Sequence, residues 1–210
     1  MKISLERARL YGICDLGYLD PGVALSVSRQ LLEGGVDVLQ LRAKDYAAGD
    51  LVGLARELKQ LCDDFQTPFI VNDHLELALE AGAQGLHLGQ DDGDLAEARH
   101  ALGDDRLLGR STHSLDQARR GLAEGADYIG FGPLFPTPTK QGRPAIGLSE
   151  IKAMESEVGS RIPAFCIGGI HTGNLSEVIS AGARRVVVVS HLLTSTDPVK
   201  TTTQIKQQLP

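Results

Sequence analysis

The sequence predicts a single-domain α/β protein, a (β/α)8 TIM barrel spanning residues 1–210, and three observations carry that prediction. A glycine-led apolar motif recurs along the chain, weaker strand-like segments alternate with its copies, and apolar residues at helical spacing fill the gaps. Strict alternation of strand and helix makes a parallel sheet, and eight such units close it into a barrel.

The recurring motif reads "GGVDVLQLR" at 34–42, "GAQGLHLGQ" at 82–90, "GADYIGFGP" at 125–133 and "GARRVVVVS" at 182–190. Its glycine suits the left-handed residue that ends a helix, and its apolar run suits a strand covered on both faces. Between the copies lie "LYGICD" at 10–15, "TPFIVND" at 67–73, "RLLGRST" at 106–112 and "IPAFCIGG" at 162–169, which complete eight strands. In "DLVGLARELKQLCDDF", Leu51, Leu54, Leu58 and Leu61 fall on one helical face. An open doubly wound sheet is the rival architecture, but no G-x-G-x-x-G follows the first strand.

The 210 residues, 42% hydrophobic, are enough for one domain with its own core. Cys14, Cys62 and Cys166 form no C-x-x-C pair, which points away from a disulfide framework or a thiolate zinc site and toward a reducing cytoplasm. Lys2, Glu6, Arg7 and Arg9 precede any sustained apolar run, so neither export nor a membrane anchor is expected. A net charge of -6 argues against a nucleic-acid surface. Within an acidic protein, a local basic cluster can focus anions into one cleft. Arg42 and Lys44 form such a cluster.

In barrels the strand C-terminal ends and the loops after them carry the chemistry. Here those ends are polar: Asp15; Gln40, Arg42 and Lys44; Asn72 and Asp73; Gln90 and Asp92; Ser111 and His113; and Ser190 with His191. Residues two apart in a strand point the same way, so Gln40, Arg42 and Lys44 are expected to converge on the mouth. Arg42 and Lys44 make one candidate anion site. The turn "IGGI" at 167–170 and the turn after "VVVVS" make a second, at the position where barrels bind phosphate with backbone N–H groups. Asp73 and Asp92 follow neighbouring strands and suit magnesium shared with substrate phosphates, although either could instead cap a helix, Asp92 in particular. Asn72 can both donate and accept, so it suits a nitrogen heterocycle or an amide partner equally. The loop "GPLFPTPTKQGRP" at 132–144 has the length of an active-site lid. The histidines show no H-x-x-x-H spacing and no G-x-S-x-G occurs; His113, at the mouth, is the one candidate proton carrier.

Almost end to end, the chain resembles the thiamine phosphate synthase (thiamine-phosphate pyrophosphorylase) family. The segments that carry the resemblance are "QLRAK", "VNDHLELALEAGAQGLHLGQDD", "GRSTHS", "GADYIGFGPLFPTPTK", "CIGGI" and "VVVVS". The resemblance implies condensation of an aminomethylpyrimidine diphosphate with a thiazole phosphate to give thiamine phosphate and pyrophosphate. By position it implies that Gln40, Arg42, Lys44, Asn72, Ser111 and Lys140, with Leu41 and Ala43 inside the same segment, hold the pyrimidine diphosphate. Arg42, Lys44, Ser111 and Lys140 would act in catalysis, and Asp73 and Asp92 would hold Mg2+. Thr137, Pro138 and Thr139, with Gly169, Val189 and Ser190, would receive the thiazole phosphate. Small-molecule substrates are the only partners implied, with room for a homo-oligomer. Two alternatives share the barrel: a thiazole tautomerase using His113, and a non-catalytic barrel that binds thiazole phosphate. Two departures stand out, Cys14 where the family commonly has threonine and His191 where it has a small residue.

Overall fold

The computed structural model describes residues 3–137 and 144–210. Each copy of the glycine motif ends a helix as its chemistry requires. Gly35, Gly82, Gly125 and Gly182 have φ of 97°, 67°, 88° and 110°, the left-handed region where a side chain is penalised. In "GGVDVLQLR" it is the second glycine that takes this role, while Gly34 stays right-handed.

The polar connectors after these glycines close the barrel floor by satisfying neighbouring backbone. Asp37 accepts from the N–H groups of Arg9 (2.7 Å) and Leu10 (2.9 Å), Gln84 from Phe69 (2.9 Å), and Asp127 from Leu108 (2.8 Å). Each ties a helix-to-strand connection to the start of an adjacent strand. Asp127 also pairs with Arg99 at 2.6 Å. Replacing Asp127 by alanine leaves the partly buried Leu108 N–H without this acceptor and removes the ion pair to Arg99. We expect Asp127→Ala to lose about 1–3 kcal/mol of stability, read from the urea midpoint, with the barrel fold retained by circular dichroism.

Eight strands follow: β1 Leu10–Asp15, β2 Val38–Arg42, β3 Phe69–Asn72, β4 Gly85–Leu88, β5 Leu107–Thr112, β6 Tyr128–Phe131, β7 Ala164–Ile167 and β8 Val186–Val188. They form one closed parallel barrel in sequence order, sealed where Leu10 of β1 pairs with Val186 of β8. The helices that cover it include α1 Pro21–Glu33, α2 Val52–Asp64, α3 Leu75–Glu80, α4 Leu95–Leu102 and α5 Leu115–Ala123. On α2 the buried stripe is Ala55, Leu58, Leu61 and Cys62, with Leu51 just before it; Leu54 sits at the edge, only partly buried.

Inside the barrel, Tyr11 and Tyr128 each pack against Phe165 in a T-shaped arrangement, centroids 5.4 and 6.1 Å apart at nearly right angles. That arrangement suits aromatic quadrupoles. All three cysteines are free and buried, and burial pushes the Cys14 thiol up to about 11 and the Cys62 thiol up to about 12. No helix among the described residues is long and apolar enough to cross a membrane.

Candidate active site

A cavity of about 880 Å3, mouth included, opens at the C-terminal ends of the strands. Gln40, Arg42, Asn72, Ser111, His113, Thr137, Gly169, Val189 and Ser190 all line it, so one space gathers most of the residues singled out from the sequence.

Its cationic corner is built by strand register. Asp15 pairs with Arg42 across β1 and β2, so both side chains reach the mouth together. Arg42 donates to Asp15 at 2.7 Å, and the second carboxylate oxygen accepts from Gly17 N–H at 3.0 Å. Asp15, only 1% exposed, is thereby both satisfied and used to aim the guanidinium. Lys44 departs from the expected parity, because β2 ends at Arg42. It lies beyond the strand, half-exposed, and its amine stands 3.6 Å from Asp73. Leu41 and Ala43 are buried in the hydrophobic core and are not on the cavity wall, so their side chains make no site surface.

Asn72 ends β3 and Asp73 follows it with φ of 63°, a left-handed backbone that is uncommon away from glycine. The Asp73 N–H donates to His87 carbonyl at 2.9 Å, which holds the turn. Such strained residues cluster at functional sites. Asp92 does not cap a helix as its sequence context suggested. Asp94 caps α4, accepting from Ala96 and Glu97 at 2.7 and 3.1 Å, whereas Asp92 closes its own turn by accepting from Gly89 N–H at 3.0 Å.

On the opposite side stand the glycine turns expected from the sequence to receive phosphate. Gly168 and Gly169 have φ of 105° and 66°, and a Cβ at Gly169 would lie 2.8 Å from the Cβ of Phe135. Glycine is therefore required twice over, by conformation and by space. The loop after β6 is tied to this turn: Leu134 N–H donates to Ile167 carbonyl at 2.8 Å and Phe135 N–H to Gly168 carbonyl at 3.1 Å. The Asn174 side chain donates to Gly169 carbonyl at 2.9 Å and fixes the far side. Gly132, Pro133 and Thr137 thus line the strand C-terminal face, where the lid was expected. Pro138, Thr139 and Lys140 lie outside the described residues.

The His113 ring donates from Nδ1 to the Gly132 carbonyl, which leaves Nε2 as the basic nitrogen of the neutral ring. His191 packs beside His171 with ring centroids 5.9 Å apart; burial and then its neighbour hold its pKa below the ordinary histidine range. Among the wall residues that escaped the sequence reading are Tyr11, His87 and Tyr128, all buried and facing the same cavity. The usable signal was a polar residue inside an otherwise apolar strand.

A family model described as thiamine monophosphate synthase matches residues 10–192. The chain belongs to the thiamine monophosphate synthase family. A protein of Thermus thermophilus named thiamine-phosphate synthase is 43% identical over 185 residues, covering 88% of each chain. A protein of the same name from Nostoc sp. is 42% identical over 206 residues, 98% of this chain but 57% of that one, so the chain spans just over half of that longer relative. Among solved structures, thiamine phosphate pyrophosphorylase from Pyrococcus furiosus superposes with a TM-score of 0.86 at 29% identity, covering 96% of this chain and 95% of the other. Membership makes the chain an enzyme of the thiamine monophosphate synthase family, and its closed barrel superposes on the Pyrococcus protein over nearly its whole length.

Proposed function

We propose that the protein condenses 4-amino-2-methyl-5-pyrimidinylmethyl diphosphate with thiazole phosphate, giving thiamine phosphate and releasing pyrophosphate. The observation that carries this reading is a single cavity with an anchored cation at one side and a doubly glycine-dependent turn at the other. Two phosphorylated substrates need two anion sites with their reacting ends between them.

The amino group of the pyrimidine releases electrons toward the ring methylene. Breaking its C–O bond, with the electron pair leaving on pyrophosphate, produces a stabilised cation that the thiazole nitrogen captures as the new C–N bond forms. No protein nucleophile is needed. Arg42, fixed by Asp15, would donate to the diphosphate oxygens, with Lys44 beside it and Lys140 implied by the family pattern. Gln40, Asn72 and Ser111 would orient the heterocycle, while Gly169, Val189 and Ser190, with the Thr137–Pro138–Thr139 segment, would seat the thiazole phosphate. Catalysis of this type rests on positioning and on stabilising charge where it develops.

No group of three or more metal-type side chains comes together among the described residues. Magnesium suits the two carboxylates because it binds through one or two of them plus substrate phosphates. Asp73 and Asp92 would hold it, and when bound it would supply neutralisation of the leaving diphosphate. The buried free thiols suit the reducing cytoplasm, where we place the reaction.

The test is a two-substrate assay with and without magnesium, following thiamine phosphate and pyrophosphate together. The thiazole tautomerase reading gains one observation, the tautomer of His113, whose Nε2 could accept a proton. We expect His113→Ala to keep condensation within about tenfold of the parent, since no general base is required. A loss well beyond that, with Arg42→Ala tolerated, would favour the tautomerase.

A further inference from the structure

An unbroken run of side-chain hydrogen bonds joins two residues proposed above to orient the heterocycle. Gln40 Nε2 meets the Tyr11 hydroxyl at 2.9 Å, and Tyr11 meets the Tyr128 hydroxyl at 3.2 Å. Tyr128 meets His87 Nδ1 at 3.2 Å, and His87 Nε2 meets Ser111 Oγ at 3.0 Å. All five side chains are buried and all five line the cavity. The barrel is shaped around this run. Gly109 sits between His87 and Tyr128 in the β4, β5 and β6 registers, and a Cβ there would lie 2.5 Å from both His87 Nδ1 and the Tyr128 oxygen.

Counting hydrogens restricts what the run can do. Burial raises both tyrosines far above their ordinary range, so each keeps its single hydroxyl hydrogen. A neutral imidazole carries one more, on one nitrogen only. Each link needs one hydrogen. With Gln40 donating to Tyr11, Tyr11 donates to Tyr128, Tyr128 to His87 Nδ1, and His87 Nε2–H to Ser111. The Gln40 carbonyl oxygen then remains as acceptor at one end, and the Ser111 hydrogen is not consumed by the run at the other. Reversing one link without the rest leaves some link with two hydrogens or none, which is costly in a buried site. The reversed setting therefore requires the Gln40 amide to turn over, His87 to carry its hydrogen on Nδ1, and Ser111 to donate inward, all together.

We propose that Tyr11, Tyr128 and His87 are positioning residues forming a one-directional hydrogen-bond chain that makes Gln40 an acceptor and Ser111 a donor toward the ligand. Such a pair fits a heterocycle edge that presents an amino N–H and a ring-nitrogen acceptor. The ligand assignment rests on the pyrimidine diphosphate reading above; the chain itself does not.

Nitrogen-15 NMR of the histidine rings tests the chain without substrate. At about pH 8, where ordinary histidine is neutral, His87 is expected as a single Nε2–H tautomer. Gln40→Glu places a permanent acceptor at the far end and should invert His87 to Nδ1–H; adding Tyr128→Phe cuts the chain and should abolish that inversion. An equal mixture of tautomers in the parent, or no change in Gln40→Glu, overturns the proposal. Should Gln40→Glu fail to fold, the parent and Tyr128→Phe decide alone: the Nε2–H tautomer by itself in the first and both tautomers in the second support the chain, and any other pair of results refutes it. In calorimetry, Tyr128→Phe should weaken pyrimidine diphosphate binding by about fivefold or more, leaving thiazole phosphate binding unchanged. If the tautomer results hold but no variant or parent binds pyrimidine diphosphate, the functional reading falls and the chain stands.

Discussion

Replacing Arg42 and Lys44 together by alanine is expected to weaken pyrimidine diphosphate binding by at least about a hundredfold while thiazole phosphate binding stays near the parent value. Charge-assisted hydrogen bonds contribute roughly 1.5–3 kcal/mol each, and about 1.4 kcal/mol is a factor of ten. The two residues should not contribute equally. Arg42 is largely buried and held at 2.7 Å by Asp15, whereas Lys44 is half-exposed and 3.6 Å from Asp73. Solvent screens the second far more than the first. Arg42→Ala alone should therefore account for most of the loss. It also leaves Asp15 buried without its partner, so thermal melts must accompany the titrations, and Arg42→Lys, which keeps the charge, should recover part of the binding. Undiminished affinity of the double variant for the pyrimidine diphosphate would remove the basis for a diphosphate site at this corner.

Loss of the Asp73 carboxylate is expected to lower turnover by a hundredfold or more, about 3 kcal/mol of barrier. Asp73→Asn is the informative change, since asparagine tolerates the left-handed backbone at φ of 63° and removes only the charge. The fold should persist, because the Asp73 backbone bond to His87 carbonyl is untouched. The magnesium concentration needed for half-maximal rate should rise in the same variant. An Asp73→Asn enzyme as fast as the parent, with the same magnesium dependence, would sink the carboxylate assignment and leave Asp73 as the ion-pair partner of Lys44.

The repeat glycines were legible because left-handed backbone admits few other residues, so one "GG" and three "GA" pairs before apolar runs are conformational statements. The strand ends were legible for the same kind of reason: Gln40 and Arg42 share a parity that a strand enforces. Lys44 was misplaced because parity lapses where the strand stops, and sequence does not mark that residue. Asp92 and Asp94 both precede α4 in "GQDDGDLAEAR", and only the position of the first helical turn at Leu95 decides which one caps it. The inner chain was the least legible. Strands buried on both faces lose the polar alternation that tells inside from outside, so nothing in "GLHL" or "YIGF" says that His87 and Tyr128 face one another.

The three buried cysteines have a consequence for how opening of this barrel can be watched. Cys14 lies in the first strand, Cys62 in the second long helix and Cys166 in the seventh strand, and burial holds each sulfur in the protonated, unreactive form. An alkylating reagent can reach them only when the surrounding structure parts. Labelling rates at the three sites then act as separate clocks: a shared rate means the barrel parts as one unit, and a faster Cys62 means the helical shell lifts from the strands first.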